Sequence, residues 1–142
     1  MILEMIRVVG IAAGLVTAPG GTALATANAM DDSGEDDPRL VDCSADEFDQ
    51  RRLGHPVFVA WFHATWCPTC LRQHRVLREL LADGVAGDPL VCRFDFDAEP
   101  ELRQQLGVAE QSTLIRFRNG TETSRSRGET KPPRLRAFLE GP

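Results

Sequence analysis

The sequence predicts an α/β domain: a central mixed sheet flanked by helices on both faces. Three observations carry that prediction. Strand-like apolar runs alternate with amphipathic helical stretches from Leu40 to Phe117, an order that calls for parallel pairing. Asn119-Gly120 is a strong two-residue hairpin turn, so the last strand returns antiparallel. Pro132-Pro133 then opens a closing amphipathic helix. With 142 residues, 42% hydrophobic and 26% charged, the chain suits one ordinary domain and is not disordered throughout. Its net charge of −5 has the wrong sign for a nucleic-acid binder.

The first residues read as an address. Arg7 precedes an apolar, small-residue run at Val8–Ala18, Pro19 to Gly21 would break a helix, and Ala27-Asn28-Ala29 offers an A-x-A cleavage site. This is the layout of a secretory signal peptide over residues 1–29. An uncleaved membrane anchor is the alternative, since the uncharged run to Met30 is long enough to span a bilayer. Residues 30–38 hold Asp31, Asp32, Glu35, Asp36 and Asp37 and read as a solvated acidic linker. The folded domain is expected over residues 39–142. Export would place it in an oxidising, periplasmic or other extracytoplasmic compartment.

Within the domain, Leu40–Cys43 reads as a short first strand. Ser44 with Glu47 fits a capping box, so a helix is expected from Ala45 to about Leu53. Val57–His63 (VFVAWFH) is a continuous apolar run of strand length, suited to a central strand buried on both faces. A helix follows Cys67 to Asp83, with Leu71, Leu77, Leu80 and Leu81 as its apolar residues. Leu90–Phe96 is the next strand. A short helix spans Pro100–Leu106, closed by Gly107. Thr113–Phe117 and Glu122–Arg127 form the hairpin, the second strand polar enough to face water.

The motif with chemistry is Trp66-Cys67-Pro68-Thr69-Cys70, at the junction of the strongest strand and a helix. A helix N-terminus favours an anion, so Cys67 is expected to have a lowered pKa and to be the nucleophile. It is expected to project into solvent. Cys70, one turn on and more buried, can attack a mixed disulfide and release the substrate. Pro68 fits the first helical turn, where its missing N–H costs nothing.

Val57–Cys70, Leu90–Asp97, Gly107–Gly120 and Gly128–Leu139 together resemble the thioredoxin superfamily over about Leu40–Leu139. The resemblance implies the thioredoxin fold and thiol–disulfide exchange with Cys67 and Cys70 as catalytic residues, their redox-active disulfide serving in place of any cofactor. It implies protein disulfides as substrates, an unidentified redox partner and a monomer. Substrate contacts are expected at Trp66, Pro68, Thr69, Gln111, Ser112 and Thr113. A reductant is expected rather than an oxidant, because no inserted helical domain interrupts the pattern.

The departures from the family are informative. Ser112 stands where the family has a cis-proline facing the dithiol. Trp61 stands where thioredoxins place a buried acid that deprotonates the second cysteine, and Arg93 where a lysine is usual. Arg75 replaces a helix-kinking proline. His63 and Arg93 are expected to modulate the site. Cys43 and Cys92 fall on strands that the family fold sets side by side; two free buried thiols are expected, a disulfide being the alternative. A second functional reading is a metal-binding or metal-carrier protein on this fold, using Cys67, Cys70, His63 and His74, although no metal site is expected on the first reading.

Overall fold

The computed structural model describes residues 35–142. The expected signal peptide and the first part of the acidic linker lie outside the described residues. The elements are β1 (Leu40–Asp42), a 3-10 turn (Ala45–Glu47), α1 (Phe48–Gly54), β2 (Val57–His63), α2 (Pro68–Asp83), β3 (Leu90–Asp95), α3 (Pro100–Leu106), β4 (Thr113–Arg118), β5 (Thr121–Arg127) and α4 (Pro132–Glu140). The five strands form one sheet in the order β1-β3-β2-β4-β5. The first three are parallel; β4 runs antiparallel to β2, and β5 to β4. This is the thioredoxin fold.

β2 lies at the centre and all seven of its residues are buried. Side chains alternate across a strand, so β2 feeds two cores. Val59 and Trp61 pack with Leu77, Leu80 and Leu81 of α2 and Leu135 and Leu139 of α4. Phe58, Ala60 and Phe62 pack on the other face with Phe48 of α1 and Leu102 of α3. There Phe48 meets Phe58, Phe94 and Phe117 edge-on at centroid distances of 5.9, 6.1 and 5.7 Å. The hairpin turn takes positive φ at both Asn119 (47°) and Gly120 (79°), which a tight two-residue connection of this hand needs.

Several local expectations change. The helix expected from Ala45 begins as a 3-10 turn, with the Ser44 N–H donating to Glu47 Oε2 at 3.0 Å, and becomes α-helical only at Phe48. Leu71 is 46% exposed. At 100° per residue it sits well off the face of Leu77, and Cys70 and Gln73 occupy the apolar stripe instead. The last linker acids are not freely solvated. Asp37 pairs with Arg39 at 2.7 Å, and Asp36 meets His74 Nε2 at 2.8 Å and Arg78 at 3.5 Å.

Cys43 and Cys92 form a disulfide, with Cα atoms 5.5 Å apart, not the two free thiols expected. The partner directly across from Cys92 is Val41. Cys43 lies just beyond the end of β1, diagonal to Cys92 on the same face, where the chain is leaving the ladder. The restriction on facing cysteines in adjacent parallel strands therefore does not apply.

Arg116 of β4 is 1% exposed. Its guanidinium donates to the carbonyls of Leu139 (3.1 Å) and Glu140 (2.9 Å) at the end of α4 and to Thr123 Oγ1 of β5 (3.0 Å). A cation suits the negative end of a helix dipole.

Candidate active site

The end of β2 delivers the chain to the start of α2, where Cys67 is the N-cap residue. Its Sγ accepts the Cys70 N–H at 3.2 Å, filling the role a serine or aspartate side chain takes at ordinary helix starts. Pro68 follows in the first turn, as expected. Both cysteines are free thiols. Cys70 is fully buried and Cys67 only 3% exposed. The order of exposure is the expected one, but Cys67 does not project into water, because the Ser112 loop lies against it.

Ser112 Oγ lies 3.3 Å from Cys67 Sγ and 3.1 Å from Cys70 Sγ. Burial pushes the Cys67 thiol up, but hydrogen bonding from the Cys70 thiol, the Ser112 hydroxyl and the Cys70 and Thr69 N–H groups outweighs it. The net result lies below the ordinary cysteine value. Cys70 moves the other way: burial raises it, the neighbouring Cys67 adds to this, and the Ser112 hydroxyl opposes it. The pair is thus differentiated: Cys67 ionises more readily than an ordinary thiol and Cys70 less readily.

The loop that presents Ser112 is fixed from three sides. Its N–H donates to Phe62 O at 2.9 Å, and its carbonyl accepts from Gly128 N–H at 3.0 Å and from Gln73 Nε2 at 3.1 Å. Ser112 takes φ 64°, the left-handed region that costs a non-glycine residue about 1–2 kcal/mol. Gln73 is fully buried. Its amide also donates to Glu129 O at 3.0 Å, and its Oε1 accepts the Trp61 indole N–H at 2.9 Å. Trp61, set where the family has an acid, therefore supplies no base; it orients the glutamine that holds the Ser112 loop. No motif in the sequence marks Gln73. Its signal was a lone polar residue three after Cys70 and four before Leu77, inside the buried stripe of α2.

Trp66 is 60% exposed beside Cys67, and its indole N–H donates to Asp97 Oδ2 at 2.8 Å. Pro68 is exposed, and Thr69 and Gln111 are half-buried around the same sulfur. Thr113, expected on the contact surface, is instead buried with its hydroxyl donating to Glu110 O at 2.7 Å, a bond internal to the loop.

His63 and Arg93 lie to one side. They line a cavity with Asp42, Cys43, Thr65 and Asp95 at the carboxyl ends of β1, β3 and β2. Burial, then Arg93 and His74, lower the His63 pKa. Arg93 is held by both oxygens of Asp42, at 2.5 and 2.9 Å. Among the described residues neither side chain hydrogen-bonds a sulfur. His74, expected to share a face with the cysteines, faces Asp36, and His63 packs edge-on against Trp61 at 4.9 Å. No three His, Cys, Asp or Glu side chains among the described residues converge as metal ligands.

Comparison with known proteins agrees with this geometry. The thioredoxin family model matches residues 39–141. A thioredoxin from Malassezia sympodialis is 33% identical over 97 residues, covering 68% of this chain and 90% of that one. Among solved structures, Trxlp from Edwardsiella tarda is 39% identical with a TM-score of 0.65, covering 70% of this chain and 97% of its own. A mutant thioredoxin from Halobacterium salinarum is 27% identical with a TM-score of 0.64, covering 75% of this chain and 94% of its own. The chain therefore belongs to the thioredoxin family, and it is a thiol–disulfide oxidoreductase.

Proposed function

We propose that the chain works outside the cytoplasm as a reductant of protein disulfides, with Cys67 as the attacking sulfur and Cys70 as the resolving one. The observation that carries this is the differentiation of the two thiols at the start of α2: Cys67 lowered and capping the helix, Cys70 raised and buried. Cys67 thiolate attacks a substrate disulfide and joins one substrate sulfur, and the other departs as a thiolate. Cys70 then attacks Cys67 Sγ, the mixed disulfide breaks, and a Cys67–Cys70 disulfide remains. Two electrons pass from the dithiol to the substrate. An electron donor must then reduce the pair again.

Trp66, Pro68, Thr69, Gln111 and Ser112 form the surface that meets the substrate backbone around Cys67. The direction of transfer rests on likeness to compact thioredoxins, of which this chain spans nearly the whole length. Export rests on the signal-like start, and the Cys43–Cys92 disulfide is of the kind that persists in oxidising compartments. No helix among the described residues is long and apolar enough to cross a membrane. The domain is taken to act as a monomer without a cofactor.

The test is insulin reduction by the reduced protein, together with the Cys67/Cys70 potential in a glutathione redox buffer. Reduction of insulin that disappears in Cys67→Ser supports the reading; full activity in that variant overturns it. A potential well above that of thioredoxins would reverse the direction. Amino-terminal sequencing of the protein from an extracytoplasmic fraction should begin near Met30.

A further inference from the structure

We infer that the Ser112 hydroxyl is a catalytic proton carrier, taking the proton of Cys70 and delivering one to the departing substrate sulfur, and that it is held in place by Gln73 and Trp61. The inference rests on the exchange chemistry just proposed. Cys70 must lose a proton before it can attack, yet it is fully buried and the strand position where the family places an acid holds Trp61. Asp42, Asp36 and Asp95 do not reach it. Asp42 is engaged by Arg93, Asp36 by His74, and Asp95 by the N–H groups of Asp97 and Ala98. The one side-chain oxygen in hydrogen-bond range of Cys70 Sγ among the described residues is Ser112 Oγ, at 3.1 Å, and it also reaches Cys67 Sγ at 3.3 Å. A hydroxyl can accept from one sulfur while it donates to the other.

In the resting dithiol, Ser112 O–H donates to the Cys67 thiolate and accepts the Cys70 S–H. In the mixed disulfide, Cys67 Sγ is bonded to a substrate sulfur beside the same hydroxyl. As Cys70 Sγ attacks Cys67 Sγ, its proton passes to Ser112 Oγ, and the original hydroxyl proton passes to the departing substrate sulfur. The Cys67–Cys70 bond forms and the Cys67–substrate bond breaks. The substrate leaves as a thiol, the two cysteines are oxidised together, and Ser112 is regenerated. No external base is consumed.

Position is what makes the oxygen competent. The left-handed φ of Ser112 is maintained by the bonds to its own N–H and carbonyl, and Gln73 supplies one of these. The Trp61 indole bonds Gln73 Oε1 and leaves the amide nitrogen aimed at the loop. Gln73 and Trp61 are thus positioning residues, acting through Ser112.

Single-turnover oxidation of the reduced full chain by a peptide disulfide, quenched with acid, separates mixed-disulfide formation from its resolution. Ser112→Ala and Ser112→Gly should each slow resolution about a hundredfold, the low end of what a positioned proton transfer contributes, and the mixed disulfide should accumulate. Glycine relieves the left-handed strain, so slowing in both variants assigns the effect to the hydroxyl and not to the backbone. The pH profile of resolution should move upward in both, and the solvent isotope effect on this step should fall. Gln73→Leu should reproduce the shifted profile, whereas Gln73→Glu, keeping an acceptor for Trp61 but losing the donor to Ser112, should not restore it. Wild-type resolution rates and an unmoved pH profile in Ser112→Ala and Ser112→Gly would overturn the inference. Cys67→Ser serves as the control: its retention of activity would instead overturn the exchange reading itself.

Discussion

Restoring the family's residue with Ser112→Pro should destabilise this protein. The ring fixes φ near −65°, whereas the loop holds φ 64° at this position. Proline also lacks the N–H that donates to Phe62 O at 2.9 Å. Leaving that carbonyl unpaired costs about 1–3 kcal/mol. Reversing φ swings the Ser112 carbonyl away from Gly128 N–H and Gln73 Nε2, two further bonds of about 1 kcal/mol each. The sum is about 3–5 kcal/mol, a large part of the roughly 5–15 kcal/mol that holds a domain folded. Equilibrium urea unfolding of the reduced dithiol should show it. At a slope of about 1.5 kcal/mol/M, the midpoint should fall by about 2–3 M. An unchanged midpoint, with insulin reduction equal to or above wild type, would refute the reasoning, because the loop would then accept the proline path at no cost.

Three further outcomes are expected from the same geometry. Cys43→Ala/Cys92→Ala opens a link between residues 49 apart in sequence and should cost up to about 4 kcal/mol by loop entropy, read as a lower denaturant midpoint. Iodoacetamide labelling of the reduced protein against pH should show Cys67 reaching half its maximal rate at lower pH than an ordinary thiol, since its pKa is lowered, with Cys70 reacting only at higher pH because its own is raised; equal profiles would contradict the differentiation. Trp61→Phe removes the indole donor to Gln73 and leaves a buried void, and should lower stability by about 2–4 kcal/mol in thermal or urea unfolding.

Much of this molecule is legible in its sequence because local and global signals coincide. Val57–His63 reads as a central strand because it is apolar on both faces, and it is buried on both. Pro100 and Gly107 bracket α3 because one is suited to a helix start and the other takes the left-handed cap at φ 65°. Asn119-Gly120 marks its turn through the positive φ both residues tolerate. The dithiol at the strand–helix junction is legible for the same reason. What the sequence conceals depends on long-range placement. Whether Cys43 can reach Cys92 is decided by where β1 stops, a matter of one residue. The path at Ser112 depends on bonds from Phe62, Gln73 and Gly128, which come from three distant segments. Asp36 finds His74 only because the chain before β1 folds back along α2.

The guanidinium buried under α4 bears on how the end of the chain assembles. Arg116 draws on β5 through Thr123 and on the last turn of α4 through Leu139 and Glu140. Until both are in place, a desolvated cation lacks acceptors, and burial already disfavours its charge. The terminal hairpin and the last helix are therefore a single cooperative unit. Fraying of residues 132–140 should loosen β4 and β5 with it, and their amide protons should exchange with solvent at matching free energies. Since β4 begins at Thr113, directly after the serine that touches both sulfurs, the closing helix belongs to the same mechanical frame as the chemistry.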